Sequence, residues 1–143
     1  MVLMNIPLNV KKMMDKNVIC LDESATVSLA MEKMYEAGVW SVIVTQEDLP
    51  KGVVTERDLL RRCFRPKMNP DEVLLGDIMS YPLVTIDSDI PVGSALNLLL
   101  TDEIRRLYVI NSKGEIIGRV TQTGCLESTL NLITGMQQAF EQI

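Results

Sequence analysis

The first half of the chain carries an apolar stripe at helical spacing, between two short apolar runs. Four apolar residues recur at intervals of three and four positions: Val27, Ala30, Met31 and Met34. This spacing places them on one face of an α-helix. Thr26 before the stripe is typical of an N-cap, and Gly38 after it is typical of a helix end. The pattern predicts a helix that begins after Thr26 and stops at Gly38.

Short runs rich in β-branched residues surround this helix and predict strands. We expect strands at residues 18–21, 40–45 and 52–55, with a turn at residues 47–51. A second helix should run from Thr55 to about Phe64, before Arg65-Pro66, and residues 8–15 should form a helical lead-in. The predicted order is strand, helix, strand, strand, helix.

The same order returns in the second half, which indicates an internal repeat. At a shift of 65 residues the first stripe is repeated by Val92, Ala95, Leu96 and Leu99. At a shift of 66 residues, the segment from Gly118 to Thr121 repeats the segment from Gly52 to Thr55. Residues 66–75 contain two prolines and predict a linker. The domains are therefore predicted as residues 1–65 (first repeat with lead-in), 66–75 (linker) and 76–143 (second repeat with a C-terminal helix).

The 143 residues are 47% hydrophobic, enough for one globular unit with a real core. Each half has roughly 60 residues, which is marginal for an independent core. We therefore expect an α+β fold in which two pseudo-symmetric β-α-β-β-α repeats pack through their sheets, leaving clefts between them.

Charge and composition exclude several function classes. The net charge of −5 argues against nucleic-acid binding, and the absence of histidine removes the commonest general base and metal ligand. No catalytic residue and no metal site is predicted. Cys20, Cys63 and Cys125 are widely spaced and are expected to be reduced thiols. No apolar run reaches the ~18 residues of a membrane helix, so we predict a cytoplasmic protein without a membrane partner.

The segment from Gly52 to Asp58 is a predicted strand that runs directly into a helix. The first turn of a helix offers unpaired N–H groups that suit phosphate. Asp58, one turn in, would place a carboxylate where ribose hydroxyls could donate to it. However, Thr55-x-x-Asp58 is also a capping-box pattern, which is common at helix starts. The residues alone leave both interpretations open.

The doubled set of segments resembles the tandem cystathionine-β-synthase-type (CBS) domain pair, or Bateman module. In the first half the resemblance depends on MMDKNVICLDESATVSLAMEKM, WSVIVT and GVVTERDLL. In the second half it depends on DIMSYPLVTIDSDIPVGSAL, RRLYVI and GRVTQTG. It covers residues 10–126, nearly the whole chain.

The resemblance implies a regulatory module that binds an adenosine-containing ligand in a cleft between the repeats. AMP, ADP or ATP are expected first, with S-adenosylmethionine or NAD as alternatives. Thr55 and Asp58 would contact phosphate and ribose, with Val54 and Arg57 beside them. The second half would contribute Pro82, Leu83 and Val84 against adenine and Arg105, Arg106 and Leu107 near phosphate. Guanidinium groups suit phosphate, although exposed basic pairs are usually only solvated.

The second copy departs from the pattern because Gly124 stands where the first copy has Asp58. Thr121 remains, and the other residues assigned to this second site are Val18, Trp40 and Ser41. We expect this site to be vacant or altered. Trp40 could stack on a base, fill the cavity or pack at a subunit interface.

The carboxyl-terminal segment has apolar residues at helical intervals: Leu126, Leu130, Ile133, Met136 and Phe140. This stripe either completes the core or docks on a partner. The resemblance implies a homodimer that passes an energy or metabolite signal to an unidentified protein. The alternative is a structural interaction module with vestigial clefts. An enzyme is disfavoured, since the sequence has neither histidine nor a P-loop.

Overall fold

The computed structural model describes residues 9–101 and 104–142, whose contacts group into two compact units. The first unit consists of residues 17–83. The second unit combines residues 9–16 with the described residues from 84 onwards. Each unit has one three-stranded sheet and its own hydrophobic core.

The first unit contains three strands and three short or medium helices. In chain order these are β1 (Cys20–Asp22), α1 (Val27–Ala37), β2 (Ser41–Gln46), β3 (Leu49–Thr55), α2 (Glu56–Leu59) and α3 (Leu75–Ile78). A π-helical turn, Leu60–Phe64, continues α2. Strand β2 lies in the middle of the sheet, parallel to β1 and antiparallel to β3.

Both predicted ends of α1 are confirmed. The hydroxyl of Thr26 accepts a hydrogen bond from the backbone N–H of Leu29 at 3.2 Å. Gly38 adopts the left-handed conformation with φ 67°, which glycine reaches without steric cost. Of the predicted stripe, Met31 alone is exposed and the other three side chains lie in the core. Local capping signals thus fix the helix at both ends.

The β2–β3 hairpin is tighter than predicted. Leu49 and Pro50 belong to β3, paired with Gln46 and Thr45, so the turn predicted over residues 47–51 is wrong in its last three residues. Only Glu47 and Asp48 form the turn, with φ of 52° and 63°. Two consecutive residues with positive φ reverse the chain in the shortest hairpin loop.

The stretch predicted as a linker, residues 66–75, is an integral part of the first unit. The N–H of Val27 donates to the carbonyl of Val73 at 2.9 Å, and that of Ser28 donates to Pro70 at 3.0 Å. Val73 is buried in the core of the unit. These bonds satisfy N–H groups at the start of α1, where the helix itself offers no acceptor.

The second unit repeats the order of the first. Its elements are β4 (Thr85–Asp87), α4 (Val92–Thr101), β5 (Arg106–Ile110), β6 (Ile116–Thr121) and α5 (Gln122–Glu141). Strand β5 lies between a parallel β4 and an antiparallel β6. The lead-in is reduced to a 3₁₀ turn, Val10–Lys12, and Val10 is buried in the core of this unit. The α+β fold with two matching repeats is therefore confirmed.

One face of α5 does not complete this core. Cys125 is buried, whereas four apolar side chains of the predicted stripe are exposed: Leu126, Leu130, Ile133 and Phe140. Of the two interpretations of the stripe, core completion is wrong for these four residues. They leave an apolar surface along α5.

Candidate functional site

Strand β3 passes directly into α2 at Thr55, where Asp58 closes a capping box. The hydroxyl of Thr55 accepts from the N–H of Asp58 at 3.3 Å, and Asp58 Oδ2 accepts from the N–H of Thr55 at 2.9 Å. Each residue thus satisfies a backbone donor that the first helical turn leaves unpaired. The capping interpretation of this pair is confirmed.

A further partner, which sequence reasoning missed, holds the other oxygen of the same carboxylate. Ser80 Oγ donates to Asp58 Oδ1 at 2.8 Å, and the Thr55 hydroxyl lies 3.1 Å from Asp58 Oδ2. Asp58 is only 8% exposed. A carboxylate offers about four acceptor positions. Among residues 9–101 and 104–142, three donors bind this one, so one acceptor position on Oδ1 has no partner there.

Ser80 reaches Asp58 because its backbone lies against β3. The N–H of Val53 donates to the carbonyl of Ser80 at 3.0 Å, and the N–H of Ser80 donates back at 2.9 Å. A Cβ atom on Gly52 would lie 2.7 Å from the Ser80 carbonyl oxygen. Glycine is therefore required at position 52 for this close approach.

In the second unit the helix start at Thr121 has no carboxylate, and the acidic residue lies instead on the neighbouring segment, at Asp15. The hydroxyl of Thr121 accepts from the N–H of Gly124 at 3.1 Å, without a carboxylate at that position. Asp15, which corresponds to Ser80 at the shift of 65 residues, pairs instead with Arg119 at 3.0 Å between Oδ2 and Nη2. Their backbones also exchange two hydrogen bonds. The first repeat therefore has its acidic residue at the helix start, as Asp58, and the second repeat has it at the position that corresponds to Ser80, as Asp15.

A polar cavity of about 340 Å³ lies at this place in the second unit. Its lining includes Asp15, Arg119, Thr121 and Gly124. The guanidinium of Arg119 is already neutralised by Asp15. An anion entering this cavity would therefore have to compete with a carboxylate of the chain.

The central strands bring two of the predicted residues opposite the N-cap threonines. Ser41, at the start of β2, is the register partner of Thr55, and Arg106, at the start of β5, is that of Thr121. Nη1 of Arg106 is buried and has no hydrogen-bond partner among the described residues. An unpaired buried guanidinium nitrogen is costly, because it has lost its water without gaining an acceptor.

The remaining predicted residues divide between the two units. Arg57 and Pro82 are exposed in the first unit, where Val54 is buried and Val18 and Leu83 are half-buried. In the second unit Arg105 is exposed, Val84 is half-buried and Leu107 is buried. Because the Leu107 side chain is buried, a ligand could contact only the backbone of this residue.

Trp40 lies on an apolar hollow of about 460 Å³ in the first unit. The hollow is lined by Met31, Met34, Tyr35, Gly38, Val39, Trp40, Glu56 and Leu59. The indole of Trp40 is 64% exposed. It therefore does not fill a cavity of its own unit, and its ring is available to a partner molecule.

The three thiols are free and differ in access. Cys63 and Cys125 are buried, whereas Cys20 is exposed. Burial raises the pKa of the Cys63 and Cys125 thiols above the ordinary value, and neighbouring protein atoms that displace part of the water around Cys20 raise its pKa as well, although its side chain stays exposed.

Within residues 9–101 and 104–142, no helix has the length and apolarity needed to cross a membrane.

A family model and a set of known proteins match this chain. The model of the CBS domain matches twice, at residues 10–65 and 75–130. The uncharacterized protein MK0525 of Methanopyrus kandleri is 34% identical over 128 residues, covering 89% of this chain and 65% of its own length. Hypoxic response protein 1 of Mycobacterium tuberculosis is 24% identical, covering 78% of each chain. The chain spans 65% of MK0525 and only 15% of the meiotically up-regulated gene 70 protein of Schizosaccharomyces pombe.

Solved structures of the same architecture agree with this match. An uncharacterized conserved protein from Pyrococcus horikoshii superposes with a TM-score of 0.75 at 27% identity, covering 88% of this chain and 95% of that one. CBSX2 in complex with AMP superposes with a TM-score of 0.73 at 25% identity, covering 87% and 98%. With two family matches and two repeats of the same fold, the chain belongs to the CBS-domain family as a tandem CBS pair.

Proposed function

We propose that this chain is a non-catalytic regulatory module that binds an adenosine-containing ligand, with AMP, ADP or ATP as first candidates. The observation that carries the proposal is Nη1 of Arg106, which is buried and has no hydrogen-bond partner in the described part of the chain. A ligand phosphate would supply the missing acceptor and a paired, charge-assisted contact. The AMP bound to CBSX2, a similar chain, supports the choice of an adenine nucleotide.

The ligand residues that we assign come from both repeats. From the first repeat we assign Val54, Thr55, Arg57 and Asp58 to ribose and phosphate. From the second we assign Pro82, Leu83 and Val84 to adenine, and Arg105, Arg106 and Leu107 to the phosphate side. A ribose hydroxyl would use the open acceptor position on Asp58 Oδ1, beside the bond from Ser80. The capping and ligand roles of Asp58 are therefore compatible.

The second site, assigned to Val18, Trp40, Ser41 and Thr121, should not bind nucleotide in the same way. Gly124 provides no carboxylate for ribose, and Arg119 is occupied by Asp15. We propose one nucleotide for each chain. A stoichiometry near two would contradict this part of the proposal.

The signal would pass by a change in the arrangement of the two repeats. A ligand shifts such an equilibrium only by binding one arrangement more tightly than the other. We propose a second copy of the chain and an unidentified regulated protein as partners, and the cytoplasm as the compartment, where free thiols persist. The exposed apolar stripe of α5 favours, as a second candidate, a module that acts by protein contact alone.

Isothermal titration of the full chain against AMP, ADP, ATP, S-adenosylmethionine and NAD tests the proposal. Arg106→Gln should abolish measurable binding, whereas Arg105→Gln, at an exposed neighbour, should weaken it much less. Asp58→Ala should weaken binding by at least ~1 kcal/mol, the scale of a charged hydrogen bond. Thermal unfolding of each variant shows whether it is folded. Absence of heat and of thermal stabilisation with all five compounds at millimolar concentration would overturn the nucleotide proposal.

A further inference from the structure

The side chain of Arg62 connects the helical segment after Asp58 to the end of α3. Its Nη1 atom donates to two backbone carbonyls, those of Ile78 and Met79, and both distances are 3.0 Å. Helix α3 ends at Ile78, and the last carbonyls of a helix have no donor within the helix itself. An arginine side chain can supply that donor. Arg62 therefore fixes the end of a helix that lies 16 residues further along the chain.

The residue that follows these two carbonyls is Ser80, which contacts the same helical segment. Ser80 Oγ donates to Asp58 Oδ1 at 2.8 Å. Asp58 lies in α2 and Arg62 in the π-helical turn that continues it, four positions later. Side chains at this spacing are neighbours on a helix surface. Asp58 and Arg62 thus bind three consecutive residues, 78–80, from adjacent positions.

The bonds from Arg62 distinguish it from the arginine next to it. Arg61 is exposed and has no hydrogen bond or ion pair with any residue that the structure describes. Ile78 and Met79, by contrast, are buried, so their carbonyls depend on a protein donor in place of water. Loss of Arg62 would therefore release residues 78–80, whereas loss of Arg61 would release nothing.

We propose that Arg62 is a positioning residue for the ligand: it holds residues 78–80 in place, so that Ser80 orients the Asp58 carboxylate for a ribose hydroxyl. The inference rests on the nucleotide binding proposed above, and it adds a residue that touches no part of the ligand. Arg62, Asp58 and Ser80 all belong to the first unit. A carboxylate that is already oriented before binding reduces the entropy that the complex has to lose.

Titration of the full chain with two forms of one ligand tests this role. The first form is whichever of AMP, ADP, ATP, S-adenosylmethionine and NAD the wild type binds most tightly. The second form lacks both hydroxyls of the adenosine ribose, which are the groups that Asp58 would accept. Arg62→Met should weaken binding of the first form at least about fivefold, the scale of one hydrogen bond, and that of the second less than about twofold. Arg61→Met, with the same loss of charge, should change neither affinity more than about twofold.

Amide hydrogen exchange of the ligand-free chain provides a second measurement. The N–H of Ser80 donates to the carbonyl of Val53 at 2.9 Å, and the N–H of Ile43 donates to that of Ile19 at 2.7 Å in the same unit. Arg62→Met should speed exchange at Ser80 at least about tenfold and at Ile43 less than about threefold, because a lost local contact opens a segment without unfolding the sheet.

The possible outcomes separate the two proposals. A wild-type chain that binds none of the five compounds would overturn the nucleotide proposal and this role with it. If the wild type binds, an Arg62→Met chain with unchanged affinity, or with unchanged exchange at Ser80, would overturn the positioning role while nucleotide binding stands. Equal losses for both forms of the ligand would also overturn it, because Arg62 would then support the fold and not the ribose contact.

Discussion

Ser80 donates its hydroxyl hydrogen to Asp58, with 2.8 Å between Oγ and Oδ1, although 22 residues separate them in sequence. The bond joins the start of α2 to the segment that follows α3. Because Asp58 is buried, its carboxylate depends on protein donors in place of water. This contact thus makes the helix start part of the tertiary structure of the first unit.

Ser80→Ala should lower the free energy of unfolding by about 1–3 kcal/mol, because a buried carboxylate loses one of its three donors. Urea denaturation followed by circular dichroism measures the change. Ser94→Ala, at an exposed position on α4, is the matched control and should stay within about 0.5 kcal/mol of wild type. Equal effects of the two substitutions would show that the Ser80 bond does not stabilise the fold.

Gly52→Ala should destabilise the first unit by about 1–3 kcal/mol through overpacking. The new Cβ would lie 2.7 Å from the Ser80 carbonyl oxygen and 2.9 Å from Met79 Sδ. A side chain can move away, but the backbone carbonyl is held by its bond from Val53. Gly93→Ala is the control, since nothing lies within 4 Å of its Cβ. Thermal melting of both variants compares them, and a Gly52 variant as stable as the control would contradict the close approach.

The thiols should react in two classes. In the native chain Cys20 should react with a thiol reagent first, because it is exposed. Cys63 and Cys125 should react only after the chain has unfolded. Counting modified thiols with and without urea, by mass spectrometry, should give one and then three. Fast native modification of Cys63 would contradict its place in the core.

The same burial gives stability a pH dependence. The folded pKa of Cys63 and Cys125 is raised above the unfolded value, so the fold favours the neutral thiol. The contribution of these neutral thiols to the free energy of unfolding is fully present below the unfolded pKa of about 8.5. It is lost as pH rises through the folded pKa. The free energy of unfolding should fall above about pH 8.5, and less so in the variant Cys63→Ala with Cys125→Ala.

Local signals in the sequence predicted the features that a few neighbouring residues decide. Thr26 and Thr55 are N-caps in the structure, and Gly38 ends its helix in the left-handed conformation. The two-residue turn at Glu47 and Asp48 escaped prediction because neither residue is the glycine or asparagine that such turns usually contain.

The partners of the candidate sites could not be predicted, because they are distant in sequence. Ser80 meets Asp58 across 22 positions, and Asp15 meets Arg119 across 104. Periodicity also could not predict whether the apolar stripe of α5 is buried or exposed. Leu126 and Leu130 have the spacing of core residues, and only the packing of the second unit shows that Cys125 occupies that place instead.

Residues 9–16 belong to the second unit although the ribosome makes them long before that unit's strands. The N–H of Val10 can donate to the carbonyl of Ile90, and Asp15 can pair with Arg119, only after those later residues have been synthesised. Residues 17–83, by contrast, contain all the contacts of their own core. The first unit can therefore fold as it emerges, while the side chain of Val10 lacks its core partners until synthesis has passed β6. That order separates the folding of the two units in time, because the first unit is complete before the second can bury Val10.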